Sequence, residues 1–423
     1  MSHQRIELLD SFRFLAITSV LFYHFTFRWA FVLPSSHFYG NFAQYGSLGV
    51  EFFFVISGFV ISYTLENTDS PTAFFKNRFI RLFPPLILCT LITFIAAGFL
   101  DNTAIFPEAH QPANFLPSLT LTNPAIWTLI SQRTFFWING SYWSLWVEVQ
   151  FYAIAAALYF SGKGKFIRNL VWTTIVISAI KYIPPVFMNV SWGKGSHPGL
   201  IPFVTNLKEV YLLFNIVYYL PWFVLGSFFH YLFKGYRPMT NKVLDVSVLI
   251  MLAFLYADHY KYRGVVMHVL VLVFFGLLIY KPKWLGFLDF PLFRRIGIIS
   301  YTLYLIHEDI GVLLMTKIGP YIGWNPILPI VMMALAIGFA ELSYRFYEKN
   351  VYRWLKRVLF KPAQVTAVAQ VTAVAPVISV LKHPTQVAAE YLHGNGQQDD
   401  TEKFSDGDHP GGAKHLFDEV HRL

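Results

Sequence analysis

The chain has 423 residues, of which 55% are hydrophobic and only 13% are charged, and its mean hydropathy is +0.47. Soluble domains carry about 25% charged residues, so this composition excludes an ordinary soluble protein and predicts a multi-pass membrane protein. The formal net charge of +9 does not indicate nucleic-acid binding, because the basic residues cluster in short loops between apolar segments, as cytoplasmic loops of membrane proteins do.

Ten apolar segments approach the length of about 20 residues that a membrane-spanning helix needs. We therefore predict an all-α polytopic integral membrane protein with about ten transmembrane helices around a central polar cavity. The single cysteine, Cys89, lies in the third segment, which excludes an intramolecular disulfide. The predicted spans are 12–32, 46–66, 82–100, 141–160, 169–188, 210–233, 243–257, 264–280, 296–317 and 325–347.

Lysine and arginine residues are concentrated in alternate loops, and this predicts that those loops and both termini are cytoplasmic. The longest loop on the opposite side, 101–140, is rich in Pro and Asn, and we expect it to cover the outer face. The first apolar segment has no small-residue cleavage site, so we interpret it as a retained span rather than a signal peptide.

The chain divides by composition into a predicted transmembrane domain, residues 1–357, and a cytoplasmic low-complexity tail, residues 358–423. In the tail the hexapeptide QVTAVA occurs twice in tandem, at 364–369 and 370–375. Its composition predicts disorder. The tail histidines are widely and irregularly spaced, so we predict a solvated tail and no metal site.

Arg13 and His24 stand out because both lie inside the first apolar segment. Eleven helical residues separate them, which places them on one face and about 16 Å apart along the axis. Ionisable residues are costly in a bilayer and usually face a protein interior with a function. The alternative is an arginine that reaches the interface and a histidine that bonds to a neighbouring helix.

Further polar groups lie inside or beside the later spans. The second span reads GVEFFFVISGFVIS, the loop after it FFKNRFIRLFPP, the fourth span SYWSLWVEVQFY and the ninth ISYTLYLIHEDIG. The ionisable residues in these three spans are Glu51, Glu148, His307, Glu308 and Asp309.

Taken in this order, these segments resemble the family-3 membrane acyltransferases, which O-acetylate bacterial surface polysaccharides. The resemblance covers about residues 5–355. It places the family's Arg-x10-His signature on Arg13 and His24 and its paired arginines on Arg78 and Arg81. A small departure is Ser11-Phe12, where the family often has Gly-Leu. The other motif positions fall on Trp143, Ser144, Leu145, Glu148, Phe151, Tyr152, Ser300, Tyr301, Tyr304, Leu305 and His307.

The resemblance implies transfer of an acyl group, most simply acetyl, from cytosolic acyl-CoA to a hydroxyl of a surface or exported glycan, or of a lipid-linked acceptor. It implies a bacterial cytoplasmic membrane, no tightly bound cofactor and no metal. The outer loops 101–140 and 189–209 would select the acceptor.

Acyl transfer requires a base, a site for the developing oxyanion and a site for the donor phosphates. We expect His24 to be the general base. We expect Glu148 to orient it, since both residues lie about 10–12 Å from the outer ends of their spans. Arg13, Arg78 and Arg81 are expected to bind the CoA phosphates, with Arg13 also counted in the catalytic group. Accessory candidates are Asp10, Ser57, Trp143, Ser144, Tyr152, Tyr301, Tyr304 and His307.

Each of these assignments has a structural alternative. Glu148 could be satisfied by a helix neighbour or by the indole N–H groups of Trp143 or Trp146. Arg78 and Arg81 could serve membrane topology alone. The Ser57-Gly58 pair is a common close-packing device, and His307 could be a buried hydrogen-bonding histidine.

Two other functions are compatible with the pattern. A transporter could use Arg13, His24 and Glu148 as a proton or anion relay. A catalytically idle membrane scaffold is the third class, and the cost of burying several ionisable groups argues against it.

Overall fold

The computed structural model describes residues 3–181, 210, 213–258 and 262–360, and every regular element in these ranges is a helix. The predicted tail from 361 onward, and the outer loop 189–209, lie outside the described residues. The α-helices are α1 (His3–Tyr23), α2 (Gly49–Glu66), α3 (Pro71–Leu100), α4 (Phe115–Thr120), α5 (Pro124–Ser131), α6 (Trp143–Ser161), α7 (Phe166–Lys181), α8 (Ile216–Phe233), α9 (Lys242–Asp258), α10 (Tyr262–Tyr280), α11 (Pro291–Ile298), α12 (Ser300–Ile322), α13 (Ile327–Ser343) and α14 (Lys349–Leu359).

A helix is present at each of the ten predicted spans, which confirms the all-α polytopic class. Within the described ranges, length and composition qualify five helical segments as membrane spans, or up to eight if each of three bent helix pairs counts as one span. The prediction was ten. The described parts of α7 and α9 stop at Lys181 and Asp258, where the described ranges end.

Helix α3 differs from the prediction because it begins eleven residues before the expected start, at Pro71, and runs for 30 residues. Ser70 caps it by accepting a hydrogen bond from the backbone N–H of Ala73 at 3.2 Å. Pro84 and Pro85 lie inside the helix and do not end it, since neighbouring helices can compensate for lost backbone bonds in a membrane protein. The two arginines predicted in a loop are therefore on a helix.

The predicted outer loop, 101–140, is ordered largely by asparagine side chains. Asn114 accepts a hydrogen bond from the backbone N–H of Phe136 at 2.9 Å and donates to the carbonyl of Glu108 at 2.8 Å. Asn139 accepts from the backbone N–H of Ser141 at 2.9 Å, just before α6 begins. These bonds satisfy backbone groups that have no helical partner, and so hold the parts of the segment to one another.

Helices α2 and α8 meet in backbone contact. A Cβ atom at Gly58 would collide with the carbonyl oxygen of Phe223, and one at Gly226 would collide with that of Val55. The hydroxyl of Ser227 also donates to the carbonyl of Gly58 at 3.2 Å. Small residues allow this close approach in membrane helix pairs. The contact confirms the packing role for Gly58. Ser57 does not take part in it.

Four helices, α1, α2, α6 and α12, contribute side chains to two cavities, one after the other along each helix. Along α1 and α12 the cavity with Arg13 comes first and the cavity with His24 second, whereas α2 and α6 run in the opposite order. The predicted central polar cavity is thus divided in two.

Candidate active site

The first cavity, here called the arginine cavity, is defined by the side chains of Arg13, Arg78, Arg81 and Glu148 and has about 740 Å³ of empty volume. It brings together the three arginines that the sequence predicted to bind the phosphates of the acyl donor. Arg13 pairs with Asp10 at 2.5 Å, and both side chains are buried.

The other two arginines of this cavity have no carboxylate partner within salt-bridge distance in the described part of the chain. Arg78 is 8% exposed, and its Nε atom has no hydrogen-bond partner among the described residues. By contrast, Arg295 makes two bonds to Glu341, at 2.7 and 2.8 Å. A buried guanidinium without a partner is costly, so the arginine cavity is suited to an anionic ligand.

Glu148 lies in the arginine cavity and does not contact His24. Its carboxylate accepts hydrogen bonds from the hydroxyl of Ser57 at 2.8 Å and from that of Tyr152 at 2.6 Å. The predicted pairing of Glu148 with His24 is therefore wrong. The prediction compared only the positions of the two residues along their helix axes. Their side chains line different cavities.

The second cavity, here called the histidine cavity, is defined by His24, Glu51, Glu308 and Asp309 and has about 970 Å³ of empty volume. Its other lining residues include four aromatic side chains and one guanidinium. These are Trp29, Phe106, Trp143, Tyr219 and Arg28.

His24 begins a π-helical turn, His24–Arg28, that follows α1 directly. Such turns occur often at functional sites. The Nδ1 atom of His24 lies 2.9 Å from the carbonyl oxygen of Val20, which can only accept a hydrogen bond. The neutral tautomer with its proton on Nδ1 satisfies this contact and places its lone pair on Nε2.

Glu308 is the carboxylate next to that lone pair. Its Oε1 atom lies 3.4 Å from Nε2 of His24 and accepts a hydrogen bond from the indole N–H of Trp29 at 3.1 Å. When Nε2 takes up a proton, the imidazolium faces a carboxylate. The geometry thus suits a base whose protonated form is stabilised by an adjacent negative charge.

His307 is completely buried and supports His24 from the other side. Its Nδ1 atom lies 2.7 Å from the carbonyl of Tyr304, and its Nε2 atom lies 3.2 Å from Nδ1 of His24. The carbonyl assigns the proton of His307 to Nδ1, so Nε2 can accept from His24. His307 therefore helps to keep the proton of His24 on Nδ1.

Tyr304 and Val50 line both cavities and separate them. The hydroxyl of Tyr304 donates to the carbonyl of Ser141 at 2.8 Å and lies 2.7 Å from the hydroxyl of Ser144. This wall lies between the three arginines and the two histidines.

The remaining predicted accessory residues divide between the two cavities. Ser57, Ser144, Tyr152 and Tyr301 line the arginine cavity, and the hydroxyl of Tyr301 donates to the carbonyl of Leu82 at 3.1 Å. Trp143 lines the histidine cavity.

Glu308 and Asp309 received no role from the sequence, and neither did Glu51 in the second span. The available signal was that all three are carboxylates inside apolar segments. What the sequence did not show is that α12 lies beside α1.

A family model for acyltransferase 3, described as an acyltransferase domain, matches residues 6–345. No solved structure matches the chain.

Curated relatives include the putative peptidoglycan O-acetyltransferase YrhL of Bacillus subtilis (strain 168), which is 26% identical over 372 residues, 82% of this chain and 55% of the relative. The peptidoglycan O-acetyltransferase OatA of Listeria monocytogenes serovar 1/2a is 25% identical over 376 residues, 83% of this chain and 56% of the relative. The putative O-acetyltransferase SACOL0978 of Staphylococcus aureus (strain COL) is 25% identical over 374 residues, 80% of this chain and 56% of the relative. The chain thus spans little more than half the length of these relatives.

Proposed function

This chain belongs to the acyltransferase 3 family, and from that premise we propose that it is an integral membrane O-acyltransferase. It moves an acyl group, most simply acetyl, from acyl-CoA to a hydroxyl of a glycan. The observation that carries the proposal is the contact at 3.4 Å between Nε2 of His24 and Oε1 of Glu308 in one cavity. The neighbouring cavity has three guanidinium groups.

The arginine cavity is the proposed donor site. Acyl-CoA carries a pyrophosphate and a 3′-phosphate, and guanidinium groups bind phosphates through paired hydrogen bonds. Arg78 and Arg81 have no carboxylate partner among the described residues, which distinguishes them from the paired Arg295 on α11. That difference favours ligand binding over a role in topology alone.

The histidine cavity is the proposed site of chemistry. Nε2 of His24 takes the proton of the acceptor hydroxyl, and the hydroxyl oxygen attacks the thioester carbonyl carbon. The tetrahedral intermediate collapses with cleavage of the C–S bond, and the CoA sulfur takes a proton back. Glu308 stabilises the imidazolium between these two proton transfers.

The distance between the two sites fits the donor. Arg13 and His24 are separated by eleven residues, or about 16 Å along a helix. The extended pantetheine arm can bridge such a gap, past the wall formed by Tyr304 and Val50.

We place the arginine cavity on the cytoplasmic side of a bacterial cytoplasmic membrane, where acyl-CoA is made. The support is the distribution of basic residues: Lys76 and α14, with Arg353, Lys356 and Arg357, lie toward that end of the bundle. Both termini would then be cytoplasmic.

A peptidoglycan-type glycan is the proposed acceptor class, since two relatives carry peptidoglycan O-acetyltransferase in their names. The histidine cavity has aromatic and carboxylate side chains suited to a hydroxyl-rich ring.

The test is transfer of radiolabelled acetyl from acetyl-CoA to peptidoglycan fragments by the protein in lipid nanodiscs. His24→Asn keeps an N–H near the Nδ1 position and removes the base. We expect it to lower kcat by about 10²- to 10⁴-fold while acetyl-CoA binding is retained. His37→Gln, at an exposed histidine outside both cavities, is the matched control.

Transfer by His24→Asn at the wild-type rate would refute the base assignment. Proton or anion flux through proteoliposomes without acyl-CoA, together with no acetyl transfer, would instead support the transporter alternative, in which the same buried groups form a relay.

A further inference from the structure

The histidine cavity contains carboxylate oxygens that the mechanism above does not use. Asp309 is completely buried, lines the cavity, and has no hydrogen-bond partner for either carboxylate oxygen among the described residues. The Oε2 atom of Glu51, on the α2 side of the same cavity, is likewise without a partner in those residues.

Buried polar atoms without partners are rare and costly, so each requires an explanation. The neighbouring Glu308, by contrast, has polar partners, since its carboxylate contacts both Trp29 and His24. A buried carboxyl group accepts hydrogen bonds in either protonation state and also donates one when it is neutral. A hydroxyl-rich molecule matches this capacity, because each of its hydroxyls both donates and accepts.

Aromatic side chains occur in two pairs in this cavity. The rings of Trp143 and Tyr219 lie 5.2 Å apart, and those of Trp29 and Phe106 lie 4.7 Å apart. Flat apolar surfaces of this kind accommodate the C–H faces of a sugar ring, while its hydroxyls point sideways to polar groups.

The charge of the cavity restricts the ligand further. Four carboxyl groups line it, against a single guanidinium, that of Arg28, in the described ranges. An acidic sugar would add a carboxylate to a buried space that already holds several carboxyl groups, and burying an ionised group without a cationic partner is costly. The four carboxyl groups are those of Glu51, Glu108, Glu308 and Asp309.

We propose that the histidine cavity is the acceptor subsite and that it selects an uncharged sugar, with Asp309 and Glu51 accepting hydrogen bonds from ring hydroxyls. This inference rests on the proposed function and names its acceptor residues. The hydroxyl that is acylated is the one left facing Nε2 of His24, while Asp309 and Glu51 hold its neighbours.

The experiment measures binding and transfer separately, on the full-length protein in lipid nanodiscs. The probes are chitotetraose, an uncharged oligosaccharide, and tetragalacturonate, an oligosaccharide with one carboxylate on each ring. Binding is measured by saturation-transfer-difference NMR, and transfer by label from acetyl-CoA. The variants are Asp309→Asn and Glu51→Gln, which keep the size of each side chain.

We expect chitotetraose to bind and tetragalacturonate to bind at least tenfold more weakly. Asp309→Asn should raise the Kd for chitotetraose about tenfold and leave acetyl-CoA binding unchanged. The control is Glu348→Gln, at a half-buried carboxylate outside both cavities. Its Oε1 atom accepts from Thr302 and Ser343, each at 2.7 Å, and glutamine retains that oxygen.

The outcomes separate the two proposals. Sensitivity of chitotetraose binding to Asp309→Asn, with no acetyl transfer by the wild type, supports a sugar-binding role for Asp309 and refutes the enzymatic function. Transfer with chitotetraose binding that neither variant changes refutes the acceptor residues while the function stands. Absence of chitotetraose binding to the wild type, or equal binding of tetragalacturonate, also overturns the inference.

Discussion

The two cavities differ in charge although the same four helices contribute side chains to both, because α3 adds Arg78 and Arg81 to the arginine cavity alone. The arginine cavity gathers three guanidinium groups around one carboxylate, that of Glu148. The histidine cavity gathers four carboxyl groups and His24 around one guanidinium. A few helical turns therefore separate a site suited to phosphates from a site suited to hydroxyls. Under the proposed function, donor binding and proton transfer would be handled by separate groups, with Tyr304 at the boundary.

Among the variants that compare the two cavities, the largest effect on activity should come from replacing one carboxylate in each cavity by its amide. Glu308→Gln removes the negative charge beside Nε2 of His24, and we expect kcat to fall about 10²-fold with little change in acetyl-CoA binding. Glu148→Gln makes the same chemical change in the arginine cavity and should alter the KM for acetyl-CoA rather than kcat. Steady-state kinetics in nanodiscs distinguish the two. A larger loss of kcat in Glu148→Gln would restore the pairing that the sequence suggested.

A smaller effect should come from the guanidinium groups. Arg78→Lys or Arg81→Lys keeps the charge but loses the two-pronged geometry, so the KM for acetyl-CoA should rise about tenfold. The increase should shrink with dephospho-CoA thioester if the variant residue binds the 3′-phosphate.

Arg28→Lys is the comparison in the histidine cavity and should leave the KM for acetyl-CoA unchanged. Equal tolerance of lysine at all three positions would indicate that Arg78 and Arg81 act only in membrane topology.

The sequence identified the elements of both cavities but not their arrangement. Arg13 and His24 could be placed on one stripe because helical periodicity relates residues of the same helix. Glu148 was paired with the wrong partner because depth along an axis does not tell which way a side chain points, nor which helices are neighbours. Glu308 could be recognised as a buried carboxylate, and only the packing of α12 against α1 shows that it contacts His24.

The helix boundaries show a similar limit. The third span was predicted to begin at residue 82, after a loop that contains Arg78 and Arg81. In the structure α3 starts at Pro71 and continues through Pro84 and Pro85, since surrounding helices can compensate for the lost backbone bonds. The consequence for the site is direct, because Arg78 and Arg81 face a cavity from a helix and not from a loop.

The smallest effect on activity is expected outside both cavities. Asp101, which follows α3, accepts hydrogen bonds from the backbone N–H groups of Ile105 and Phe106, each at 2.8 Å. Burial alone would raise the pKa of Asp101, but these bonds and the nearby His110 outweigh it and lower the pKa below its ordinary value. Asp101→Asn should leave both KM values unchanged and cost about 2 kcal/mol of stability at neutral pH.

The stabilisation by the ionised carboxylate of Asp101 depends on pH. A carboxylate with a lowered pKa stabilises the folded state fully above its unfolded pKa of about 3.9, and the stabilisation is lost as the pH falls through the folded value. The difference in thermal midpoint between wild type and Asp101→Asn should therefore be present at pH 7 and disappear in strong acid. A difference that persists unchanged in acid would contradict the role of the ionised carboxylate.

The π-helical turn at His24–Arg28 holds one more residue than an α-helical turn would need. Deleting a single residue from it would replace one i→i+5 turn by an ordinary i→i+4 turn, so the chain beyond would keep nearly the same direction. The wide turn between His24 and Trp29 would be lost, although His24 itself would be unchanged. The extra residue is thus a heritable insertion that the segment accommodates without redirecting its neighbours: a one-residue deletion should cost less activity than loss of the imidazole.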